Sequence, residues 1–312
     1  IGATAVRVGR PLLYWDDKEN AAVNIVIENN RTVGTGLTYR SNVAIFIGRC
    51  TGAQICHNTL KDSCYSAISV GWSWETATWP FGEKKNLSDI EIAYNYIDNF
   101  MYGMKDGGAV YTLGGNAWAE HRTFFNSIHH NYMVVGETCG DAAEGYRVIY
   151  HDQGSSNWHD YDNVILARPD LPPRTAFVIG GATNNLIERT YILNYPLPSP
   201  LSVESRTPGS VNVTEKDTFR DFSTDDTLPG NVADIIRAAG CSFAMADVPA
   251  PKTHAHTMTI HVDAKKGSNR RSGLRADAPT ASIARAVETL IDLLSSKTDV
   301  DVTILFAPGT YT

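Results

Sequence analysis

Two aspartates occupy settings in which a carboxyl group can do chemistry. Asp106 stands before Gly107 and Gly108, at the entry to the apolar run Ala109-Val110-Tyr111. The glycines leave its carboxylate uncovered and let a ligand approach the backbone closely. Asp152 ends the run Val148-Ile149-Tyr150-His151, at the place that Gly48, Gly71 and Gly180 take in similar runs. Two carboxyl groups on one face can divide their work, one giving a proton and the other acting as nucleophile or base. Ordinary turn chemistry accounts for both residues too, Asp106 as a cap before Gly-Gly and Asp152 as an Asx-turn into Gly154-Ser155-Ser156. The expected roles are Asp106 as nucleophile or base and Asp152 as general acid. Lys105 would favour a charged Asp106 if the two side chains converged, but neighbours on a strand diverge.

Other acids are weaker candidates. Asp98 could pair with Asp106, yet aligning HNTLKD with YNYID gives Asp98 the place of Asp62 and so a corner role. Glu144, ahead of the Asp152 run, is a further acid that can reach a ligand. Trp72, Trp74 and Trp79 cluster after Ala67-Ile68-Ser69-Val70-Gly71, where a cleft would open or where a loop would pack on itself. Tyr111, His130, Tyr146, His151 and Trp158 are additional lining candidates, because such rings join an apolar body to a polar tip. His129 and His130 fit corner or core positions equally well, and His151 could orient Asp152.

The elements that must position these groups repeat. One register is an alternating apolar segment ending in Asn: NIVIENN, AQICHN, IEIAYN, SIHHN and WHDYDN. The other is a short β-rich segment: AIFIG, AISVG, AVYTLG, VIYHD and AFVIGG. The corner residues Asn30, Asn58, Asn95, Asn131 and Asn163 are spaced by 28, 37, 36 and 32 residues, more than a bare coil of roughly 22, so loops must leave the coils. Short alternating strands without helical period predict an all-β right-handed parallel β-helix, a solenoid with long loops on one face. Each corner Asn has a reason, since its amide can donate to one coil and accept from the next. An antiparallel sandwich would want Asn-Gly or Asp-Gly hairpins, and these turns lack them.

Residues 1–196 form the predicted coils, 197–255 an irregular exit segment with a short helix around NVADIIRAAG, and 256–312 a small αβ end cap. In that cap a strand, a Gly/Ser/Asn loop, an amphipathic helix near Ala281–Ser295 and a second strand follow in order.

With 312 residues, 43% of them hydrophobic, the chain can bury a large core. A net charge of −7 argues against a nucleic-acid partner, and no apolar run approaches the roughly 20 residues of a membrane span. The five cysteines show no paired zinc spacing and read as buried or free thiols. Sequons at Asn30, Asn86 and Asn212 fit N-glycosylation but arise readily by chance.

Residues 43–156 resemble the right-handed parallel β-helix glycoside hydrolases, a group with β-xylosidase, lacto-N-biosidase and pectin-fucosidase members. The resemblance rests on NVAIFIG, HNTLKDSCYSAISVGWSW, IAYNYIDNFMYGMKDGGAVYTLG and VIYHDQGSS. Where such proteins usually have Asp-Glu-Gly-Ser-Ser, this chain has Asp152-Gln153. The last segment is similar to the opening cap of the same group, which implies a junction of two modules or a cap whose order in the chain is exchanged.

The resemblance implies a secreted or cell-surface glycosidase that cleaves a plant or microbial polysaccharide or oligosaccharide. Its carboxyl groups would stand about 5–5.5 Å apart for retention or roughly 6.5–9.5 Å for inversion. Asp106 and Asp152 would be catalytic, with Trp72, Trp74, Tyr111, His130, Glu144, Tyr146 and His151 contacting substrate. No cofactor is needed, although Ca²⁺ could serve as a structural ion. Two alternatives share the fold: a polysaccharide lyase or epimerase, which would want a basic cleft, and a non-catalytic glycan-binding module. Only Lys105, Arg147 and Arg168 could supply that basic cleft.

Overall fold

The computed structural model describes residues 2–9, 22–48, 50–72, 87–114, 126–136, 147–167, 177–180, 184–194, 201–204, 213–216, 219–222, 228–242, 256–296 and 300–309. Two compact units divide the chain, Ile1–Ala244 and Met245–Thr312.

In the first unit the strands come in circuits of three. They run β1 (Val6–Val8), β2 (Ala22–Glu28) and β3 (Arg31–Thr35); then β4 (Ile45–Ile47), β5 (Cys50–Cys56) and β6 (Thr59–Ser63); then β7 (Ile68–Gly71), β8 (Leu87–Ala93) and β9 (Tyr96–Phe100). The pattern continues with β10 (Val110–Leu113), β11 (Asn126–His129) and β12 (Tyr132–Val134), then β13 (Ile149–Asp152), β14 (Trp158–Tyr161) and β15 (Val164–Leu166). It ends with β16 (Phe177–Gly180), β17 (Asn185–Glu188) and β18 (Tyr191–Leu193), then β19 (Leu201–Glu204), β20 (Val213–Lys216) and β21 (Phe219–Phe222).

Each strand pairs in parallel with the strand three places on. This makes three seven-stranded sheets, named here A (from β1), B (from β2) and C (from β3). The connectivity is consistent with an all-β parallel solenoid. The two registers read from sequence are sheets B and A. Sheet C escaped, because its strands follow the corner Asn directly and look like the tail of sheet B. Strands β19–β21 lie within the stretch expected to be irregular, so the circuits pass the expected limit at 196 and reach Phe222.

Aligned side chains fill the interior. Ile45, Ile68, Val110 and Ile149 stack in sheet A, and Ile27, Ile55, Ile92 and Ile128 stack in sheet B, all buried. Burying each contributes roughly 1.5–3 kcal/mol before chain entropy is subtracted.

The asparagine ladder spans the corner between sheets B and C. Asn30 Nδ2 donates to Asn58 Oδ1 at 2.9 Å, Asn58 to Asn95 at 3.0 Å, Asn95 to Asn131 at 2.9 Å and Asn131 to Asn163 at 3.0 Å. Thr190 takes the next corner, where Tyr191 N donates to Asn163 O. The residue before each rung has a left-handed φ, from Asn29 (+56°) through His57, Tyr94, His130 and Asp162 to Arg189 (+47°). With its amide in the ladder, Asn30 is a poor glycan acceptor; Asn86 and Asn212 lie outside the described residues.

Helix α1 (Gly230–Ala238) follows the circuits and packs Val232 and Ile235 on Val164, Tyr191 and Leu193. In the second unit, β22 (His256–Val262) pairs in parallel with β23 (Val300–Phe306), and α2 (Ile283–Ser296) runs between them in sequence. This is the expected strand-loop-helix-strand order, with Ile260, Val262, Ala286 and Leu293 as its core. Cys50, Cys56, Cys64 and Cys241 are free; Cys139 lies outside the described residues. Among the described residues no helix is long and apolar enough to cross a membrane.

A carboxylate and tyrosine cluster as candidate active site

The outer face of sheet A carries Phe46, Ser69, Tyr111 and Tyr150 in register on neighbouring strands, because strand alternation sends every second residue outward. Trp72, just past β7, has its ring centroid 6.0 Å from Tyr111 and 6.5 Å from Phe46, and its Nε1 donates to Ser69 Oγ at 2.6 Å. Tyr150 meets Tyr111 edge-on at 5.1 Å. The indole therefore belongs to the aromatic floor.

Asp152 sits at one end of that floor, in register with Leu113 and, one strand further, Gly71. The glycine position is strained for any side chain, since Gly71 has φ +99° and a Cβ there would meet Leu113 O at 2.4 Å. Asp152 accepts from the Tyr111 hydroxyl at Oδ2 (2.7 Å) and from Gln153 N at Oδ1 (2.8 Å). It is 8% exposed.

Asp106 occupies the approach to β10 with φ +61° and a side chain 71% exposed. Its partner is Arg147, whose Nη1 lies 3.5 Å from Oδ1; Arg147 also covers the Tyr150 ring at 4.7 Å. The Tyr65 hydroxyl donates to Asp106 O at 2.7 Å. The glycines after Asp106 are needed for fit, since a Cβ at Gly107 would meet Tyr65 Cε2 and Ser66 Oγ at 2.7 Å.

The two carboxylates share neighbours. Burial first, and then the fields of both Asp106 and Asp152, push the Tyr65 and Tyr150 hydroxyls well above the usual phenol range. Burial and then Asp152 raise Tyr111 likewise. All three phenols keep their protons and act as donors.

Three expected contacts lie elsewhere. His151 points into the interior because it alternates with Tyr150, and it is fully buried. Its Nε2 bonds Asp160 Oδ2 at 2.8 Å and its Nδ1 meets Thr112 Oγ1 at 2.8 Å, with Thr112 donating on to Ser155 Oγ at 2.9 Å. Trp158 is also interior, 5.5 Å from the His151 ring. His130 stands at the corner of sheets B and C, stacked on Tyr94 at 4.9 Å. Trp74, Trp79, Glu144, Tyr146 and Arg168 lie outside the described residues.

Asp98 needs a different explanation from the expected one. The register sets it opposite Lys61, which it pairs at 2.8 Å, while Asp62 meets Asn99. The corner rule therefore applies to Asp62 and Asn99, and Asp98 is a sheet C ion pair. Tyr65 was missed as a site residue, the signal available being its position just before a sheet A segment, and Arg147, expected only as a basic group of the alternative reading, pairs with Asp106.

Among the described residues no group of three or more His, Cys, Asp or Glu side chains gathers as for a metal ion. What the cluster can do is present two carboxyl groups around a tyrosine-lined surface, with a guanidinium at one of them.

No protein-family model and no curated protein matches the chain. A solved structure titled a glycoside hydrolase aligns with 77% of this chain and 33% of its own, at 18% identity and a TM-score of 0.39. The chain thus spans about a third of that structure's length. By its own architecture the chain is an all-β protein of stacked parallel sheets.

Proposed function

We propose that the chain is a right-handed parallel β-helix that binds a saccharide on the outer face of sheet A and hydrolyses it as a glycosidase, acting outside the cell on polysaccharide or oligosaccharide. The observation that carries this reading is the chain of contacts between the two carboxylates: Arg147, beside Asp106, covers the Tyr150 ring, and Tyr150 packs on Tyr111, which donates to Asp152. Glycoside hydrolysis asks for two carboxyl groups astride one bond, and sugar rings pack their C–H faces on aromatic side chains. The Asp-Gly-Gly-Ala-Val-Tyr and Tyr-His-Asp-Gln-Gly-Ser-Ser strings, which resemble those of β-helical glycosidases, are the segments that bring Asp106, Tyr111, Tyr150 and Asp152 to this face.

The contacts bear on how the two divide the work. Tyr111 and Gln153 donate to Asp152 and fix its orientation. Asp106, exposed and 3.5 Å from the Arg147 guanidinium, is the carboxylate that substrate or water reaches from solvent, as the nucleophile or base expected from sequence would require. Arg147 beside it would bind an acidic or hydroxyl group of the substrate.

The test is a panel of aryl glycosides and plant oligosaccharides. Asp152→Asn and Asp106→Asn should each lower hydrolysis by about two orders of magnitude or more while the unfolding midpoint stays near that of the wild type. Binding without cleavage by the wild type would reduce the reading to a glycan-binding module. Cleavage that survives both substitutions would remove these residues from the chemistry.

A further inference from the structure

Away from sheet A, the corner between sheets B and C borders a recess of about 330 Å³. One wall is the corner column of Tyr94, His130 and Asp162; the other is α1, with Asp234, Ile235 and Ala238. Both walls are pinned. Ile235 packs on the sheet side chains, Asn231 donates to the Tyr191 hydroxyl, and beyond the helix Gly240 N donates to Tyr94 O at 2.7 Å. The recess is therefore preformed.

Its hydrogen-bonding character follows from a chain of contacts. Glu91 Oε1, a carboxylate oxygen, accepts from His129 Nε2 at 3.1 Å, so that nitrogen carries the hydrogen. Burial holds His129 below the usual imidazole range, which leaves its Nδ1 bare to accept from His130 Nδ1 at 3.0 Å. Burial also lowers His130, so its Nε2 is a bare acceptor. It faces Asp162 Oδ2 across 4.0 Å. Asp162 is itself an acceptor, held by Arg189 at 2.9 and 3.2 Å. Two acceptors thus look at each other across a gap too wide for a hydrogen bond and wide enough for a donor to reach both.

We propose that this recess is a second binding site, for a neutral polyhydroxylated molecule the size of a single sugar residue, whose hydroxyls donate to His130 Nε2 and Asp162 Oδ2. Its volume is at the small end of ligand pockets, roughly 300–1,000 Å³. Charge selects the neutral ligand over an amine: Arg189 already pairs with Asp162, and Arg237 pairs with Asp234 at 2.6 Å. Apolar contact comes from Ile235 and Ala238. The site shares no residue with the sheet A cluster, so either reading can fail without the other.

Acid opposes such binding. A proton taken up at His130 Nε2 would fill the gap and pair with Asp162. The groups that face His130 are His129, Tyr94, Tyr161, Asp162 and Arg189 from the corners and Asp234 from α1, with Glu91 behind His129. Burial and Arg189 oppose the proton, while Asp162 favours it.

The experiment follows the ¹⁵N resonances of the His130 imidazole in the full chain during titration with D-xylose, D-galactose and glycerol, using methylammonium as the charged control. A saturable shift with a sugar at neutral pH, weaker on acidification, is expected. Ala238→Trp, which fills the recess from the helix side, should weaken it by about tenfold or more. Asp152→Asn should leave it unchanged. Absence of saturable shifts with all three polyols, shifts that persist in Ala238→Trp, or shifts with methylammonium alone would overturn the proposal.

Discussion

The Tyr111 hydroxyl donates to Asp152 Oδ2 at 2.7 Å from the adjacent strand, so the ring that packs between Trp72 and Tyr150 also fixes the carboxylate's orientation. Tyr111→Phe keeps the packing and removes the donor. It should cost about 1–3 kcal/mol in urea unfolding, because Asp152 is buried, and should lower any glycoside hydrolysis along with it.

Asn95 lies mid-ladder. Its Nδ2 donates to Ile55 O and Asn131 Oδ1 while its Oδ1 accepts from Asn58 N and Nδ2, and the side chain is wholly buried. Asn95→Ala should therefore destabilise by about 3 kcal/mol or more, whereas Asn30→Ala, at the half-buried end, should cost about 1 kcal/mol. Denaturation midpoints of the two variants measure the difference. Equal losses would mean that the ladder acts only as a set of local turns.

The buried His151–Asp160 pair interrupts an aliphatic column. Asp160 stands between Ile128 and Ile187 in sheet B, while His151 follows Thr112 in sheet A. Asp160→Ile restores that column but strands His151 Nε2, and a loss of about 1–3 kcal/mol should follow. Adding His151→Val should recover that loss, since an apolar pair of fitting volume replaces a buried polar pair at little cost. Calorimetry on the single and double variants decides it.

Stability should depend on pH through the corner histidines. Burial holds both His129 and His130 below 6.5 in the folded chain. Below pH 6.5 the unfolded chain therefore binds more protons than the folded one. Stability is full above that value and falls as the pH drops through it toward the lower folded values. Urea midpoints from about pH 7.5 to about pH 5.5 should show this slope, and His129→Gln should flatten it.

Gly107 is held to glycine by crowding, since a β-carbon there would stand 2.7–2.8 Å from Tyr65, Ser66 and the Met101 sulfur. Gly107→Ala should push Tyr65 off Asp106 O and cost about 1–3 kcal/mol in thermal unfolding.

The alternation of Ile, Val and Tyr and the recurrence of Asn at the corners determined the parallel circuits, because a solenoid writes its period into the chain once per turn. The Gly-to-Asp change at Asp152 was visible for the same reason: aligned repeats expose a departure from a stacked position. Register by a single residue was not visible, and it separated Asp98 from Asp62 and sent His151 inward beside an outward Tyr150. Only the tertiary structure joined Asp160 to His151 and Arg147 to Asp106, and only it set α1 against His130, residues a hundred positions apart. Such contacts depend on how far each loop lets one circuit rise over the last, a distance that local residue preferences do not encode.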